Sequence, residues 1–217
     1  MAAYVFGMSQ SLPQLLPLFP LGGAILLPGE MLPLNVFEPR YLNMTDDAMA
    51  GEKMLGIIQT RPGGAKDRPA LESVGGAGRI ISHKETDDGR YLIVLEGVSR
   101  FRLVEEEDLQ TPYRVGRVDW APFTGDRQGP DALLGADRDR LLQLLQSWFN
   151  AEGLVTDWDA IAQAPLPRVV NQLAMGAPFS AKEKQDMLEA PEDTQRLETM
   201  SSILERRLAE GAGGSAN

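Results

Sequence analysis

The sequence predicts an α+β chain, with a small and mostly antiparallel β-barrel over residues 15–122 followed by a helical region over 123–210. Three observations lead there. Up to about residue 120, apolar runs of strand length alternate with Pro, Gly and Asp-Gly turn signals. Beyond that point the apolar period changes from two to about 3.6. The 43% hydrophobic content of 217 residues is enough to bury one substantial core or two small ones.

In chain order, Leu16–Phe19, Ala24–Leu27 and Met31–Val36 read as strands bounded by Pro or Gly. Pro17, Pro20, Pro28, Pro33 and Pro39 each remove a ladder donor, so these strands should be short, irregular or at sheet edges. Pro39 opens a short helix with Tyr41, Leu42, Ala48 and Met49 on one face, which Gly51 ends. Lys53–Gln59 has the composition of a buried strand. The following RPGGAKDRP at 61–69 is expected to be a mobile loop, because apart from Ala65 it has nothing apolar to bury. Gly78–Lys84 and Arg90–Val98 flank Asp88-Gly89, a strong hairpin signal. Ser99–Val104 and Tyr113–Trp120 continue the β pattern, with Arg100, Arg102, Arg114 and Arg117 alternating with apolar neighbours.

Helices follow. In Asp137–Phe149, Leu141, Leu142, Leu144, Leu145, Trp148 and Phe149 form a broad apolar stripe that Gly153 ends. Further helices are expected at Leu166–Met175, at Ser180–Glu189 with a Ser-x-x-Glu capping box, and at Pro191–Ala209. Residues 1–14 and 211–217 are expected to be tails, the latter flexible.

The chemistry this chain lacks narrows its function. There is no GxxxxGK[ST] phosphate loop, HExxH pair or GxSxG elbow, and there is no cysteine. The single histidine, His83, lies in a predicted strand. Glu105–Asp108 would alternate faces along a strand rather than converge on a cation, so neither a metal nor a cofactor is expected. Trp120, Trp148 and Trp158 read as core or domain-junction anchors. The net charge of −10 argues against nucleic acid as a partner, although the four interleaved arginines form a possible local patch. No window approaches a membrane span, the N-terminus lacks a signal-peptide pattern, and the absence of cysteine fits a reducing compartment; a cytoplasmic protein with no membrane partner is expected.

Several ordered motifs then carry a resemblance. Pro17–Leu21, Pro28-Gly29, Leu32–Leu34 and Phe37–Tyr41 are followed by Gly75–Ile80, Asp88–Arg90, Glu96–Phe101, Gln172–Ala174 and Lys184–Glu189. Over about 15–209 the chain resembles the N-terminal substrate-binding domain of Lon protease, in particular stand-alone bacterial members without the AAA+ and peptidase modules. The resemblance implies a PUA-like pseudobarrel followed by a helical bundle, no catalytic residues, and a non-enzymatic module that binds unfolded or peptide segments of other proteins. Such a module would be an adaptor in protein quality control or proteolysis, working with a separate protease or chaperone. Met31, Leu32, Phe37, Glu38, Arg40 and Tyr41 are the candidate peptide-binding residues, with core packing as the competing role for the apolar ones and a local ion pair for Glu38 and Arg40. An RNA-binding PUA-like module is the alternative.

Overall fold

The computed structural model describes residues 12–128 and 138–214; residues 1–11 of the expected N-terminal tail, the expected helix start at Asp137, and 215–217 lie outside the described residues. The chain runs β1 (Leu15–Pro20), β2 (Met31–Val36), α1 (Pro39–Ala50), β3 (Met54–Ala65), β4 (Arg68–Glu85), β5 (Tyr91–Glu107) and β6 (Arg114–Asp119). A 3₁₀ helix at Ala121–Arg127 leads to α2 (Arg138–Glu152), α3 (Trp158–Gln163), α4 (Leu166–Gly176), α5 (Ala181–Glu189) and α6 (Asp193–Gly214). The α+β class and the β-then-α order are as expected.

The strands are ordered β2-β5-β4-β3-β1-β6, and β6 pairs again with β5. Strands β5, β4, β3, β1 and β6 therefore close a ring. Among the described residues only β1 and β3 pair in parallel. Long β5 serves two neighbours in turn: its first half holds β2, from Val36 opposite Tyr91 to Met31 opposite Glu96, and its second half holds β6, from Asp119 opposite Arg102. Thus β2 is an edge strand outside the ring, which suits the missing donor of Pro33.

Two expectations are corrected. Ala24–Leu27 is not a strand, although Ile25, Leu26 and Leu27 are fully buried. Its backbone crosses the sheet so closely that a Cβ at Gly76 would lie 1.8 Å from the Leu26 carbonyl oxygen, and one at Gly97 would lie 2.0 Å from that of Leu27. Only glycine permits that approach. Leu26 packs into the barrel core with Phe19, Tyr41 and Leu95, whereas Ile25 and Leu27 pack with Trp148, Phe149 and Phe179 of the helical part. The segment therefore joins the two cores.

The second correction concerns 61–69, which extends the β3–β4 hairpin, with Gly64 opposite Pro69 and Ala65 opposite Arg68. Gly63 and Gly64 take positive φ angles of 111° and 78° at a register shift after Arg61. Ladder bonds, rather than apolar burial, shape this ribbon, and Arg114 Nη1 donates to the Pro69 carbonyl at 2.7 Å. In addition, the glycine-rich stretch expected to be a tail from Gly211 is helical through Gly214.

In the helical part, Trp148 stacks on Phe179 with ring centroids 5.0 Å apart, and the Ser180–Glu183 capping box forms as expected. Helix α3 was not anticipated. It is six residues long with none buried, and Asp157 caps it by accepting from the Ala160 amide at 3.0 Å. Buried glutamines join the two parts: Gln59 Nε2 donates to the Ala181 carbonyl at 2.9 Å and to Gln185 Oε1 at 3.0 Å, and Gln185 Nε2 donates to the Val74 carbonyl at 3.1 Å.

Candidate functional site

Strand alternation decides which candidate residues face water. On β2, Met31, Pro33 and Asn35 point outward, while Leu32 and Leu34 pack partly against the barrel core and Val36 is buried in it. Cross-strand partners share a face, so the outward row continues on β5 through Glu96, Val94 and Leu92. On β4, Ile81 sits at the register shift between Ile80 and Ser82 and is exposed beside that row. Met31, Phe37, Ile81 and Leu92 are 57%, 61%, 47% and 43% exposed. With Pro33 and Val94 they make an apolar face next to an edge strand, rimmed by Glu96, Lys84 and Asn35. Val104, Leu109 and Val155 are also exposed but are not part of this row.

The six candidate residues thus separate. Met31 and Phe37 are exposed, Leu32 is half-buried, and Tyr41 is core: its ring stacks on Phe19 at 4.2 Å. Burial raises the Tyr41 hydroxyl above its ordinary pKa. Glu38 and Arg40 form an exposed ion pair at 2.8 Å at the start of α1, and the Arg40 guanidinium lies 4.5 Å from the centre of the Tyr41 ring. Ile81, Leu92 and Val94 were missed by the sequence reading. A signal was present, because a strand with one wet face should alternate, and Tyr91–Leu95 is apolar at every position.

Of the four arginines grouped as a possible nucleic-acid patch, Arg102 is exposed on β5 and the other three are held by carboxylates. Arg100 is buried and paired with Asp126 at 2.7 Å. Arg114 holds Glu106 in a bidentate grip, and Arg117 pairs with Glu105 at 3.3 Å and with Glu107 at 2.5 Å. The acidic run at the end of β5 is therefore the counter-charge of β6. Hydrogen bonding from Arg114 holds the Glu106 carboxyl below its ordinary pKa despite partial burial.

A cleft of about 190 Å³ opens where the first turn of α1 meets the β3–β4 ribbon and the start of β6. Arg40, Tyr41, Asp67, Arg68, Tyr113 and Arg114 line it. The Tyr113 hydroxyl donates to Asp47 at 2.6 Å, and burial together with that carboxylate pushes its pKa up to about 12. Among the described residues no group of three or more acidic or histidine side chains is placed to hold a metal ion, and no helix is long and apolar enough to cross a membrane.

Residues 15–206 match the family model described as the ATP-dependent protease La (LON) substrate-binding domain. The fold is similar to a crystal structure of a Lon N-terminal domain protein from Xanthomonas campestris, with a TM-score of 0.63 and 25% identity over 87% of this chain and 97% of that one. It is also similar to the N-terminal domain of a Mycobacterium avium complex Lon protease, with a TM-score of 0.60 and 18% identity over 88% of this chain and 98% of that one, a likeness of fold alone. Among full-length relatives, the Lon protease of Syntrophus aciditrophicus is 26% identical over 91% of this chain and 26% of its own length. Lon protease 2 of Myxococcus xanthus is 31% identical over 51% of this chain and 13% of its own length. The chain thus spans about a quarter or less of these proteases.

Proposed function

The chain belongs to the LON substrate-binding domain family, and we propose that it is a non-enzymatic module that holds unfolded or extended segments of other proteins. The observation that carries this reading is the apolar outward row beside the free edge of β2, with Met31 and Phe37 at its two ends and Leu92 in the neighbouring strand. An unfolded chain offers apolar side chains and unpaired backbone, and a one-sided apolar row beside a strand edge accepts both. A folded protein presents neither in extended form. The module would act in the bacterial cytoplasm as an adaptor that passes clients to a separate protease or chaperone.

Binding of this kind buries little area and orders a flexible partner, so the expected Kd is about micromolar or weaker. The test is titration of the full chain with reduced, carboxymethylated lactalbumin, which stays unfolded, and with the native form. Tighter binding of the unfolded form, changed little by raising salt from about 50 to about 500 mM, supports the proposal, because apolar contact is not screened. Equal affinity for both forms, or tighter binding to a short RNA at about 150 mM salt, overturns it.

A further inference from the structure

We propose that the cleft between α1, the β3–β4 ribbon and β6 is an anion subsite that receives a carboxylate of the bound polypeptide, resting on the client-binding reading above. A guanidinium presents a planar fork that matches a carboxylate in two parallel hydrogen bonds, and this cleft is lined by three such groups, Arg40, Arg68 and Arg114. The cleft already demonstrates the geometry. Arg114 grips Glu106 through Nε and Nη2, and Arg68 Nη2 donates to the same carboxylate at 3.0 Å.

The three arginines are not equally committed. Arg114 is largely buried and also donates to the Pro69 carbonyl, so it is part of the fold. Arg40 and Arg68 are exposed, and each keeps N–H donors beyond those its carboxylate partner takes. An exposed pair such as Arg40–Glu38 is worth little, so a client carboxylate displaces Glu38 at small cost. The Tyr41 ring beneath Arg40 holds the guanidinium ready. Arg40 is also a poor choice for stability: it stands in the first turn of α1, where the helix dipole favours anions, and that turn has no acidic residue. Cation and helix terminus therefore add; the acids that face the three guanidiniums are Asp67 in the lining, Glu38 at the N-cap on Arg40, and Glu106 on Arg68 and Arg114.

The position of Arg40 connects the cleft to the apolar face. It follows exposed Phe37 by three residues, so a client segment laid along β2 as far as Phe37 ends within three residues of an arginine that lines the cleft. A cleft of about 190 Å³ accepts the end of a chain or one acidic side chain, not a polypeptide passing through. The shared chemistry is a carboxylate within a few residues of an apolar stretch.

The test is fluorescence anisotropy of the full chain with a labelled peptide ending Ser-Phe-Val-Leu-Ala, as free acid and as C-terminal amide, and with amidated versions ending Phe-Val-Leu-Asp-Ala and Phe-Val-Leu-Asn-Ala. Because Arg40 and Arg68 are exposed, losing the charge-assisted contact weakens binding by about threefold to tenfold. If the C-terminal group is the ligand, amidation costs that factor; if the side chain is, Asp to Asn costs it. Arg40→Gln with Arg68→Gln removes the difference in either case, while Arg90→Gln, an exposed arginine paired with Asp88 on the β4–β5 hairpin, leaves it unchanged. Circular dichroism confirms that each variant is folded. Peptides that bind equally well in charged and neutral forms overturn the subsite and leave client binding standing. No binding of any form overturns both, and displacement of the peptide by about millimolar inorganic phosphate makes the cleft a general anion site and overturns the polypeptide assignment.

Discussion

Arg100 on β5 and Asp126 in the 3₁₀ helix meet at 2.7 Å with side chains only 3% and 7% exposed. The same guanidinium donates to the carbonyls of Leu188 in the last turn of α5 and of Ala190 and Pro191 just after it, and it lies 4.5 Å from the centre of the Phe123 ring. One side chain thus fastens the barrel to the helical part.

Arg100→Met is expected to cost about 3–5 kcal/mol, because it leaves a buried carboxylate without its cation. Adding Asp126→Asn should recover part of that loss, since the orphaned charge is then gone, although three carbonyls stay unpaired. Urea unfolding of the single and double variants checks this. A double variant less stable than the single would contradict the assignment of the cost to the stranded charge.

Gly76→Ala is expected to destabilise by more than about 4 kcal/mol or prevent folding, because its new methyl would collide with backbone at Leu26 rather than with a movable side chain. Gly125→Ala is the matched control, with nothing within 4 Å of the added carbon. The melting temperature should fall steeply for the first and stay within a few degrees for the second.

Glu183 supplies a pH dependence. Burial alone would raise its carboxyl, but hydrogen bonds from Arg207 and from the Ser180 amide and hydroxyl outweigh burial and lower its pKa from the ordinary 4.5 to about 2. Arg207 Nη2 and Arg206 Nη2 donate to it at 2.6 and 2.7 Å. A folded pKa below the unfolded one means that the stabilisation is complete above pH 4.5 and is lost as pH falls toward 2. Glu183→Gln should therefore be less stable than the parent at pH 7 by up to about 3 kcal/mol, and the gap should close on acidification. A gap that stays constant down to pH 2 would assign the loss to packing instead.

The fold was legible where local signals and tertiary demands agree. Pro39 and Gly51 bound α1, Ser180 and Glu183 open α5, and the apolar stripe of Leu141, Leu145, Trp148 and Phe149 is buried. It was illegible where backbone meets backbone. Ala24–Leu27 has strand composition, yet the partners that deny it a ladder are Gly76 and Gly97, some 50 and 70 residues further on. Residues 61–69 lack apolar mass but are continued by the ladders on either side. The candidate site was half legible for the same reason. Phe37 and Met31 could be singled out within one motif, whereas Leu92 becomes their neighbour through strand pairing, and Arg68 and Arg114 join Arg40 only across the closed ring.

That pairing sets the last expectation. Met31, Phe37 and Leu92 are large, apolar and each about half exposed, so replacing them with Ser removes little burial and should change stability by less than about 1 kcal/mol. Tyr41→Ser, in contrast, empties a site stacked on Phe19 and should cost about 3–5 kcal/mol. If the outward row holds client polypeptide, the two classes separate in a second measurement. The triple variant Met31→Ser, Phe37→Ser, Leu92→Ser should bind the unfolded client at least about tenfold more weakly while unfolding at nearly the parent urea concentration, since a few buried apolar side chains carry most of such a contact. Val155→Ser, at a still more exposed apolar residue outside the row, should leave the affinity unchanged. Loss of binding in the Val155 variant, or retention of it in the triple variant, would move the binding surface away from β2 and β5.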